Sequence, residues 1–314
     1  MSISIVVINY GDKSYFWDLI ESLRFIRTDF ELIIGIIGND DLEEVKDRKL
    51  PQKTKIIKID RNYGPPGNRN RLAAYAEGDY IMFLDNDVVL SNSISRLTEY
   101  LNEETILQLT LIREDGRIDS AGGLVDELGY PYELYRDEKY VEIQSKKEVL
   151  YAKGAGAVVP RNVFLKLGGF DEDFFYGYAD TDLGLRAWKS GFKVVSVPIP
   201  VVHYEHGSFT KNEDKRKERL TYLLESRRLY FILKNFNTKF ILRILPKILV
   251  YYYGSLVKDI VVRKEPKIFF ARFRAGLWFI GKIPQLFLKR LRNKRNTIVL
   301  SEQDLLKMGL IIKR

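Results

Sequence analysis

Short apolar runs alternate with stretches of helical periodicity over the first part of the chain. Ile3–Ile8 and Leu32–Ile37 are β-branched runs with the length of strands that are covered on both faces. Residues 14–27 between them place apolar side chains at helical spacing. Lys55–Ile59 and Tyr80–Leu84 read as a third and a fourth strand. This β-α-β order predicts an α/β fold with a mostly parallel sheet, in which ligands bind beyond the carboxyl ends of the strands.

A second ordered block begins at residue 151, after a less regular stretch over 105–150. A strand of small residues leads to a helix that we expect to begin at Asn162. A further helix is predicted to begin near Asp180 and to end before Gly191, because glycine adopts the left-handed C′ conformation at little cost. Lys193–Val197 then reads as another strand.

The pattern changes from about Lys211, where long apolar and aromatic stretches carry regularly spaced cations. Residues 1–208 hold 25 Lys and Arg against 34 Asp and Glu, a net charge of −9, whereas residues 209–314 hold 26 against 8, a net charge of +18. Such an asymmetry suggests two parts with different partners. We therefore predict an α/β domain over 1–208 and a basic, aromatic-rich helical region over 209–314.

The basic region has the pattern of an amphipathic helix. Lys239, Arg243 and Lys247 recur every fourth residue on one helix face, and Pro246 should kink or restart that helix. The longest uncharged run, Ile248–Val257, has ten residues, which is fewer than the ~18–20 that a membrane-spanning helix needs. Basic amphipathic segments with aromatic residues are typical of anionic membrane surfaces. Alternatively the apolar face packs on the α/β domain; nucleic-acid binding is disfavoured, because no recognised motif accompanies the charge.

The composition excludes several kinds of site. With no Cys among its 314 residues, the chain forms no disulfide, no thiolate metal site and no thiol nucleophile. The first residues carry no basic segment and no small-residue cleavage site, so we interpret them as a strand rather than a signal peptide. We expect a protein that faces the cytosol.

Two carboxylates, Asp85 and Asp87, end the apolar run of the fourth strand. Carboxylate oxygens at this spacing can hold a hard divalent cation such as Mg²⁺ or Mn²⁺, which in turn binds phosphate oxygens. A solvated turn is the alternative, because Asn and Asp favour turns. On its own, so short a motif favours the turn, and the choice depends on the surrounding sequence.

These segments resemble the inverting family 2 glycosyltransferases, which have the GT-A fold. The chain reads NYGPPGNRNRLAAYAEGDYIMFLDND, where the family has approximately N-x-G-x-x-x-(A/G)-x-N, a helix, and then G-(D/E)-Y-(I/L)-x-F-L-D-x-D. The later segments GAGAVVPR, GGFDEDFF and ADTDLGLR resemble the family's second group of motifs. The resemblance covers roughly residues 1–208, extends more loosely into the tail, and is specific for a family, not for a sugar.

The resemblance implies a nucleoside-diphosphate sugar as donor and Mg or Mn as the cation. It assigns Asp87 to the metal, Asp85 to the ribose or to metal-bound water, and Asp180 to the base that deprotonates the acceptor hydroxyl. Ala179 stands where the family commonly has Glu. Asp182 is interpreted as structural, and capping of the helix N-terminus is the alternative role for both aspartates of this motif.

His203 and His206 are the two histidines of the chain and follow a strand at the same sheet edge. The family often has a metal-binding His about two dozen residues after the catalytic Asp, and His203 lies 23 residues after Asp180. Positions i and i+3 of an extended segment point to opposite faces, so we expect one ligand and prefer His203 to His206.

Recognition of the nucleotide is the least defined part of the prediction. Family members usually end the second strand with V-D-N-x-S, whereas this chain has IIGNDD, so that Asn39, Asp40 and Asp41 are the candidates to replace the base-reading Asp and the base of the donor stays open. Tyr10 is a candidate for stacking on the base, and Arg69 with Arg71 for contacts to phosphate. The residues assigned to the donor are Tyr10, Asn39, Asp40, Gly67, Arg69, Asn70, Asp85 and Asn86.

The sequence therefore predicts an inverting, metal-dependent glycosyltransferase, peripheral on the cytosolic face of the membrane. Its acceptor is predicted to be a glycan or a lipid-linked glycan, the latter on the evidence of the basic tail alone. A non-catalytic nucleotide- or glycan-binding relative is the main rival, favoured by Ala179 and by the missing Asp after the second strand. A nucleotidyltransferase is disfavoured, because such enzymes have a glycine-rich, basic phosphate loop near the first strand, whereas the loop over residues 9–12 carries a single Gly.

Overall fold

A computed structural model describes residues 1–10, 15–38, 45, 49–141, 145–204, 213–293 and 298–314. The strands are β1 Ser2–Asn9, β2 Asp29–Ile37, β3 Thr54–Ile59, β4 Tyr80–Asp85, β5 Val88–Leu90, β6 Thr105–Ile112, β7 Ile118–Ser120, β8 Gly123–Asp126, β9 Pro131–Glu133, β10 Lys147–Glu148, β11 Gly156–Pro160, β12 Lys193–His203 and β13 Ile311–Ile312. The α-helices are α1 Phe16–Ser22, α2 Gly64–Ala73, α3 Arg161–Lys166, α4 Ala179–Lys189, α5 Glu213–Asn235, α6 Thr238–Val257, α7 Pro266–Asn293 and α8 Glu302–Lys307.

The main sheet is mostly parallel, as the β-α-β pattern predicts. Its strands lie in the order β10-β12-β6-β11-β4-β1-β2-β3, with β5 paired to β12 and β7 to β6. Strands β4, β1, β2 and β3 run parallel to one another, and so do β6 and β12. Strand β11 is antiparallel to both β4 and β6, and joins the two parallel groups. The predicted fold class is confirmed.

Alternate residues of the central strands face two separate apolar layers. In β1, Ile5 and Val7 pack into one layer, whereas Val6 packs into the other. Strand β4 does the same, because Met82 lies in the first layer and Phe83 in the second. Burial on both faces explains why these strands are continuous apolar runs.

The second block follows the predicted order, with shifted boundaries. Helix α3 begins one residue before Asn162, and α4 begins at Ala179, beside Asp180. Gly191 has a φ of +86°, as the C′ position requires. Strand β12 extends beyond the predicted Val197 as far as His203.

The described part of the basic region is helical and contacts the α/β part. The ammonium group of Lys234 on α5 lies 2.6 Å from Asp182 and 2.7 Å from Asp171. Strand β13 pairs in parallel with β8 through Ile311 and Val125. Tyr230 and Phe231 on α5 also belong to the same apolar core as Phe174, so the apolar face of this region packs in part on the α/β part, the alternative that the sequence left open. The division at residue 208 stays a prediction.

Helix α6 runs through Pro246 without restarting and continues as a π-helical turn over Lys258–Val262. In the described part of the chain, Thr238–Val262 is the one helix long and apolar enough to cross a membrane by length and composition, and 22% of its most apolar window is buried. Lys247 on this helix pairs with Glu127 over 2.5 Å. That ion pair seats the helix against the protein.

Candidate active site

The predicted acidic pair lies at the carboxyl end of β4. Asp85 is the last residue of the strand, and Asp87 directly precedes β5. The Asp87 side chain is 8% exposed and that of Asp85 is 40% exposed. The turn between them therefore presents one carboxylate from the protein interior and one from the surface, side by side at the sheet edge.

His203 joins this pair from the far end of β12. It lies in register with Val88, so the antiparallel β5–β12 pairing brings the histidine beside Asp87. The Nε2 atom of His203 lies 3.5 Å from Oδ1 of Asp87. One ligand atom from each of Asp85, Asp87 and His203 falls within 4.8 Å of the others. Oxygen and nitrogen ligands on opposite sides of one Mg²⁺ or Mn²⁺ ion are about 4–4.5 Å apart, so this set fits a divalent cation.

Asp119, which the sequence analysis missed, holds the histidine from behind. Its fully buried carboxylate accepts a hydrogen bond from Nδ1 of His203 over 2.9 Å. Lys153 and Arg136 donate to the same carboxylate over 2.6 and 2.7 Å. Burial lowers the pKa of His203, but its hydrogen bonds to Asp119 and Asp87 outweigh that effect and raise the pKa to about 9. No sequence spacing marks Asp119, which lies on the short strand β7.

Arg69 connects the acidic pair to Asp180. Its buried guanidinium on α2 donates to Oδ1 of Asp85 over 2.6 Å and lies 3.8 Å from Oδ1 of Asp180. A Cβ atom on Gly154 would lie 2.1 Å from Nη1 of Arg69, so only glycine leaves room for this side chain. The carboxylates of Asp85 and Asp180, far apart in sequence, therefore share the guanidinium of Arg69.

Asp180 has the environment of a carboxylate that can take up a proton. It lies in the first turn of α4, and its Oδ2 accepts a hydrogen bond from the backbone N–H of Gly154 over 3.1 Å. Burial raises the pKa of Asp180 above its ordinary value, whereas the Arg69 guanidinium acts to lower it. A side chain with a raised pKa and partial exposure is suited to general-base catalysis.

Asp182 has a structural environment, in agreement with its interpretation from the sequence. It is fully buried and accepts hydrogen bonds from Arg186, Lys234 and Asn235 over 2.8, 2.6 and 2.8 Å. Because these three donors lie on α4 and α5, this carboxylate anchors the basic region to the α/β part.

A cleft of about 230 Å³ opens beside the acidic pair. The predicted donor residues Tyr10, Asp85 and Asn86 line it, together with Asp87. Further lining residues that the sequence analysis did not assign to the site are Asn68, Phe175, Tyr176 and Arg219. Arg219 lies on α5, so the basic region contributes to the wall of this cleft.

Other predicted donor residues support the loops around the cleft. The side chain of Asn70 donates to the carbonyl of Phe170 over 2.8 Å and accepts from its N–H over 2.9 Å. Gly67 packs tightly, since a Cβ there would lie 2.7 Å from Cβ of Tyr63. Arg71 lies over the ring of Tyr63 at 3.4 Å. Asn39, Asp40, Asp41 and His206 lie outside the described residues.

The loop after the GGFDEDFF segment has an uncommon backbone conformation. Phe175 and Tyr178 have φ angles of +56° and +61°, which non-glycine residues rarely adopt. A Cβ on Gly64 would lie 2.1 Å from the carbonyl oxygen of Phe175, so the two loops meet closely at the cleft. Such strain is common at binding sites, where the fold holds a loop in one conformation.

Comparison with known proteins identifies the family. Residues 4–164 match the profile described as glycosyl transferase family 2, and residues 130–279 match that of glycosyl transferase family group 2. The O-antigen biosynthesis protein RfbC of Myxococcus xanthus is 27% identical over 49% of this chain and 13% of RfbC. The poly(ribitol-phosphate) beta-N-acetylglucosaminyltransferase TarS of Staphylococcus aureus is 29% identical over 34% of this chain and 18% of TarS.

A third relative extends over a larger share of its own length. The GalNAc(5)-diNAcBac-PP-undecaprenol beta-1,3-glucosyltransferase of Campylobacter jejuni is 30% identical over 52% of both proteins. The chain thus spans about half or less of the length of these three relatives.

Solved structures share the fold at low sequence identity. GalNAc-T7 with UDP, GalNAc and Mn²⁺ superposes with a TM-score of 0.60 at 14% identity, over 96% of this chain and 59% of that chain. The mannosyltransferase PcManGT from Pyrobaculum calidifontis, in complex with GDP-Man and Mn²⁺, gives 0.53 at 11% identity over 93% and 88%. These likenesses show a GT-A fold. With a family profile matched over half of its length, the chain belongs to glycosyl transferase family 2.

Proposed function

We propose that the protein is an inverting, metal-dependent glycosyltransferase that moves a sugar from a nucleoside-diphosphate donor to an acceptor hydroxyl. One observation supports this most strongly. Arg69 contacts both Asp85 and Asp180, so the cluster formed by Asp85, Asp87 and His203 lies next to a partly exposed carboxylate with a raised pKa. Cation and base are the two parts that such a reaction requires.

Asp180 acts as the base in this proposal. The acceptor oxygen forms a bond to the anomeric carbon on one face of the sugar, while the bond to the leaving diphosphate oxygen breaks on the opposite face. The proton of the acceptor hydroxyl passes to the carboxylate of Asp180. A single displacement of this kind inverts the configuration at the anomeric carbon.

The cluster of Asp85, Asp87 and His203 and the adjoining cleft act on the donor. A divalent cation held by Asp85, Asp87 and His203 would neutralise the charge that develops on the leaving diphosphate. Tyr10, at the end of β1, is positioned in the cleft wall to stack on a nucleotide base. Arg219 adds a positive charge to the same cleft. The solved structures of GalNAc-T7 and PcManGT contain Mn²⁺, which supports this use of the cluster.

The acceptor and the role of the basic region complete this proposal. The relative from Campylobacter jejuni, which is named for a PP-undecaprenol acceptor, supports a lipid-linked acceptor. The basic region over 209–314 then serves as a unit that brings the enzyme to the anionic, cytosolic face of the membrane.

The direct test is a thermal-shift screen of nucleotide sugars with and without Mn²⁺, followed by assay of donor hydrolysis. A true donor stabilises the protein by mass action, with a shift that requires the metal. Asp87→Ala should abolish the metal-dependent part of the shift, whereas the surface variant Asp115→Ala should keep it. If no nucleotide sugar raises the melting temperature with Mn²⁺, the proposed function is wrong.

A further inference from the structure

The exposed apolar surface of the protein is concentrated on the α6–α7 hairpin. Of 29 large apolar side chains that are exposed in the described part of the chain, 18 lie between Leu242 and Leu291. Soluble proteins rarely leave such a patch uncovered unless it contacts a partner or a lipid.

Two apolar stripes of this hairpin meet in one groove. The groove has a volume of about 340 Å³, lies between α5, α6 and α7, and has no charged side chain among its 15 lining residues. Its partly exposed walls follow helical spacing on each helix. They comprise Leu245, Leu249 and Tyr253 on α6 and Phe273, Leu277 and Ile280 on α7.

Helix α5 connects this groove to the donor cleft. Arg219 lines the cleft, and Leu229 and Leu233 on the same helix line the groove. At a rise of about 1.5 Å per residue, the ten residues from Arg219 to Leu229 span about 15 Å. Tyr222 lies on the same face as Leu229 and Leu233, because separations of seven and eleven residues are close to whole turns.

Arg274 on α7 lies between the donor cleft and the apolar groove. The guanidinium of Arg274 lies over the ring of Tyr222 at 5.4 Å. Tyr222 is about one helical turn beyond Arg219 on α5. Arg274 directly follows Phe273, a residue of the groove wall. Arg219 and Arg274 suit a diphosphate, because a guanidinium forms paired hydrogen bonds to phosphate oxygens.

We propose that this groove binds the hydrocarbon chain of a polyprenyl-diphosphate-linked acceptor, with Arg274 contacting its diphosphate. The inference rests on the proposed function, because it places the glycan of the acceptor toward the cleft beside Asp180. The uncharged lining accepts an isoprenoid chain, and burial of that chain supplies the binding energy. A peptide helix or a second copy of the chain would use the same apolar walls but would not need the cation at Arg274.

Native mass spectrometry of the full chain in a neutral detergent tests the groove, with undecaprenyl diphosphate as the probe. We expect one bound lipid per chain and at least a tenfold loss of affinity in Leu277→Lys. The control is Leu288→Lys on the same helix, since Leu277 and Leu288 are 55% and 59% exposed but only Leu277 lines the groove. Equal affinities in the two variants would show a flat membrane-facing surface and overturn the proposal, as would a bound peptide or a dimer with no bound lipid. Melting temperatures of both variants check that they are folded.

Arg274→Gln separates the headgroup from the chain. This variant should weaken binding of undecaprenyl diphosphate and leave binding of undecaprenol unchanged. Equal losses for both lipids would remove the assigned role of Arg274. Donor binding by the wild-type protein is measured separately: a chain that binds the lipid but no nucleotide sugar refutes the proposed function and leaves the groove in place.

Discussion

The Asp119 carboxylate accepts a hydrogen bond from Nδ1 of His203 over 2.9 Å, while Nε2 of the same ring faces Asp87 at 3.5 Å. Because Nδ1 donates to Asp119, Nε2 is the nitrogen that can bind a cation, which would displace the proton that the raised pKa of His203 keeps there at neutral pH. Lys153 and Arg136 hold the carboxylate in place. A metal-binding histidine is generally oriented in this way by a group behind it.

Asp119→Asn should weaken Mn²⁺ binding by about 10–100-fold, the usual effect of losing such an orienting group. The asparagine fits the same space, but it removes the negative charge that fixes the tautomer of His203. Isothermal titration with Mn²⁺ in the presence of a nucleoside diphosphate measures the change. Asp115→Asn, a surface carboxylate, serves as the control and should bind Mn²⁺ like the wild type. Wild-type affinity in Asp119→Asn would exclude the orienting role.

The sequence predicted the sheet edge and failed at the residues behind it. Asp85 and Asp87 could be placed because a buried strand ends where its apolar run ends, and ligands in parallel sheets lie at that edge. Asp119 could not be placed, since its role depends on β7 pairing with β6 and on β12 extending to His203. The first of these features leaves no periodic signal, because β7 is only three residues long.

The basic region shows a second limit of sequence reasoning. The charge count separated it from the α/β part, yet Lys234 forms buried ion pairs with Asp171 and Asp182. A charge that pairs across a tertiary contact looks the same in sequence as one that faces solvent. The exposed cations and the buried ones could be distinguished only after the helices were placed.

Asp180→Asn should abolish transfer while it keeps donor and metal binding. The amide has nearly the same shape as the carboxylate, so the Gly154 contact and the fold should persist, but it cannot accept the proton of the acceptor. Loss of a general base lowers kcat by about 10²–10⁴-fold. Single-turnover transfer and donor titration are measured on the same preparation. Turnover near the wild-type rate would show that another group is the base.

The pH dependence of kcat should report on Asp180. Its carboxylate must be ionised to accept a proton, so kcat should fall on the acid side, with a midpoint above the ordinary aspartate value of about 3.9. Removing the guanidinium in Arg69→Gln takes away a charge that favours the ionised form, and the midpoint should therefore move to higher pH. An unchanged acid limb in this variant would show that Arg69 does not act on the base.

Lys234→Met should destabilise the protein through the contact between α5 and the α/β part. Removing one partner of a buried ion pair costs about 3–5 kcal/mol. Burial raises the pKa of Asp171, but Lys234 and Lys289 outweigh that effect and hold this pKa below its usual range. A carboxylate with a lowered pKa contributes stability above its unfolded value near 3.9, and this contribution is lost as the pH falls further.

Urea unfolding at pH 7 and at low pH measures the effect of Lys234→Met. The difference from the wild type should be large at pH 7 and should shrink as the pH falls below about 4. Lys267→Met, an exposed position of α7, is the control and should change stability little. Equal stability of Lys234→Met and the wild type at pH 7 would mean that α5 is not anchored by this ion pair.

Binding to anionic liposomes should depend on the cations at the end of the α6–α7 hairpin. Lys258, Lys264 and Lys267 are exposed there, beside the exposed Val261 and Val262. Each cation near an anionic surface contributes about 1 kcal/mol, so replacing all three with Gln should lower partitioning by about 100-fold. High salt should weaken binding of the wild type, because it screens these charges.

The matched control for the hairpin replaces three exposed lysines of the α/β part, Lys53, Lys139 and Lys146, with Gln. Both triple variants lose the same net charge, so a non-specific attraction would weaken both by the same factor. If the hairpin binds the membrane, only the variant that lacks Lys258, Lys264 and Lys267 should fail to pellet with phosphatidylglycerol vesicles. If the wild type does not pellet with these vesicles at low salt, the hairpin does not bind membrane, and the lipid-linked acceptor must be tested through the groove alone.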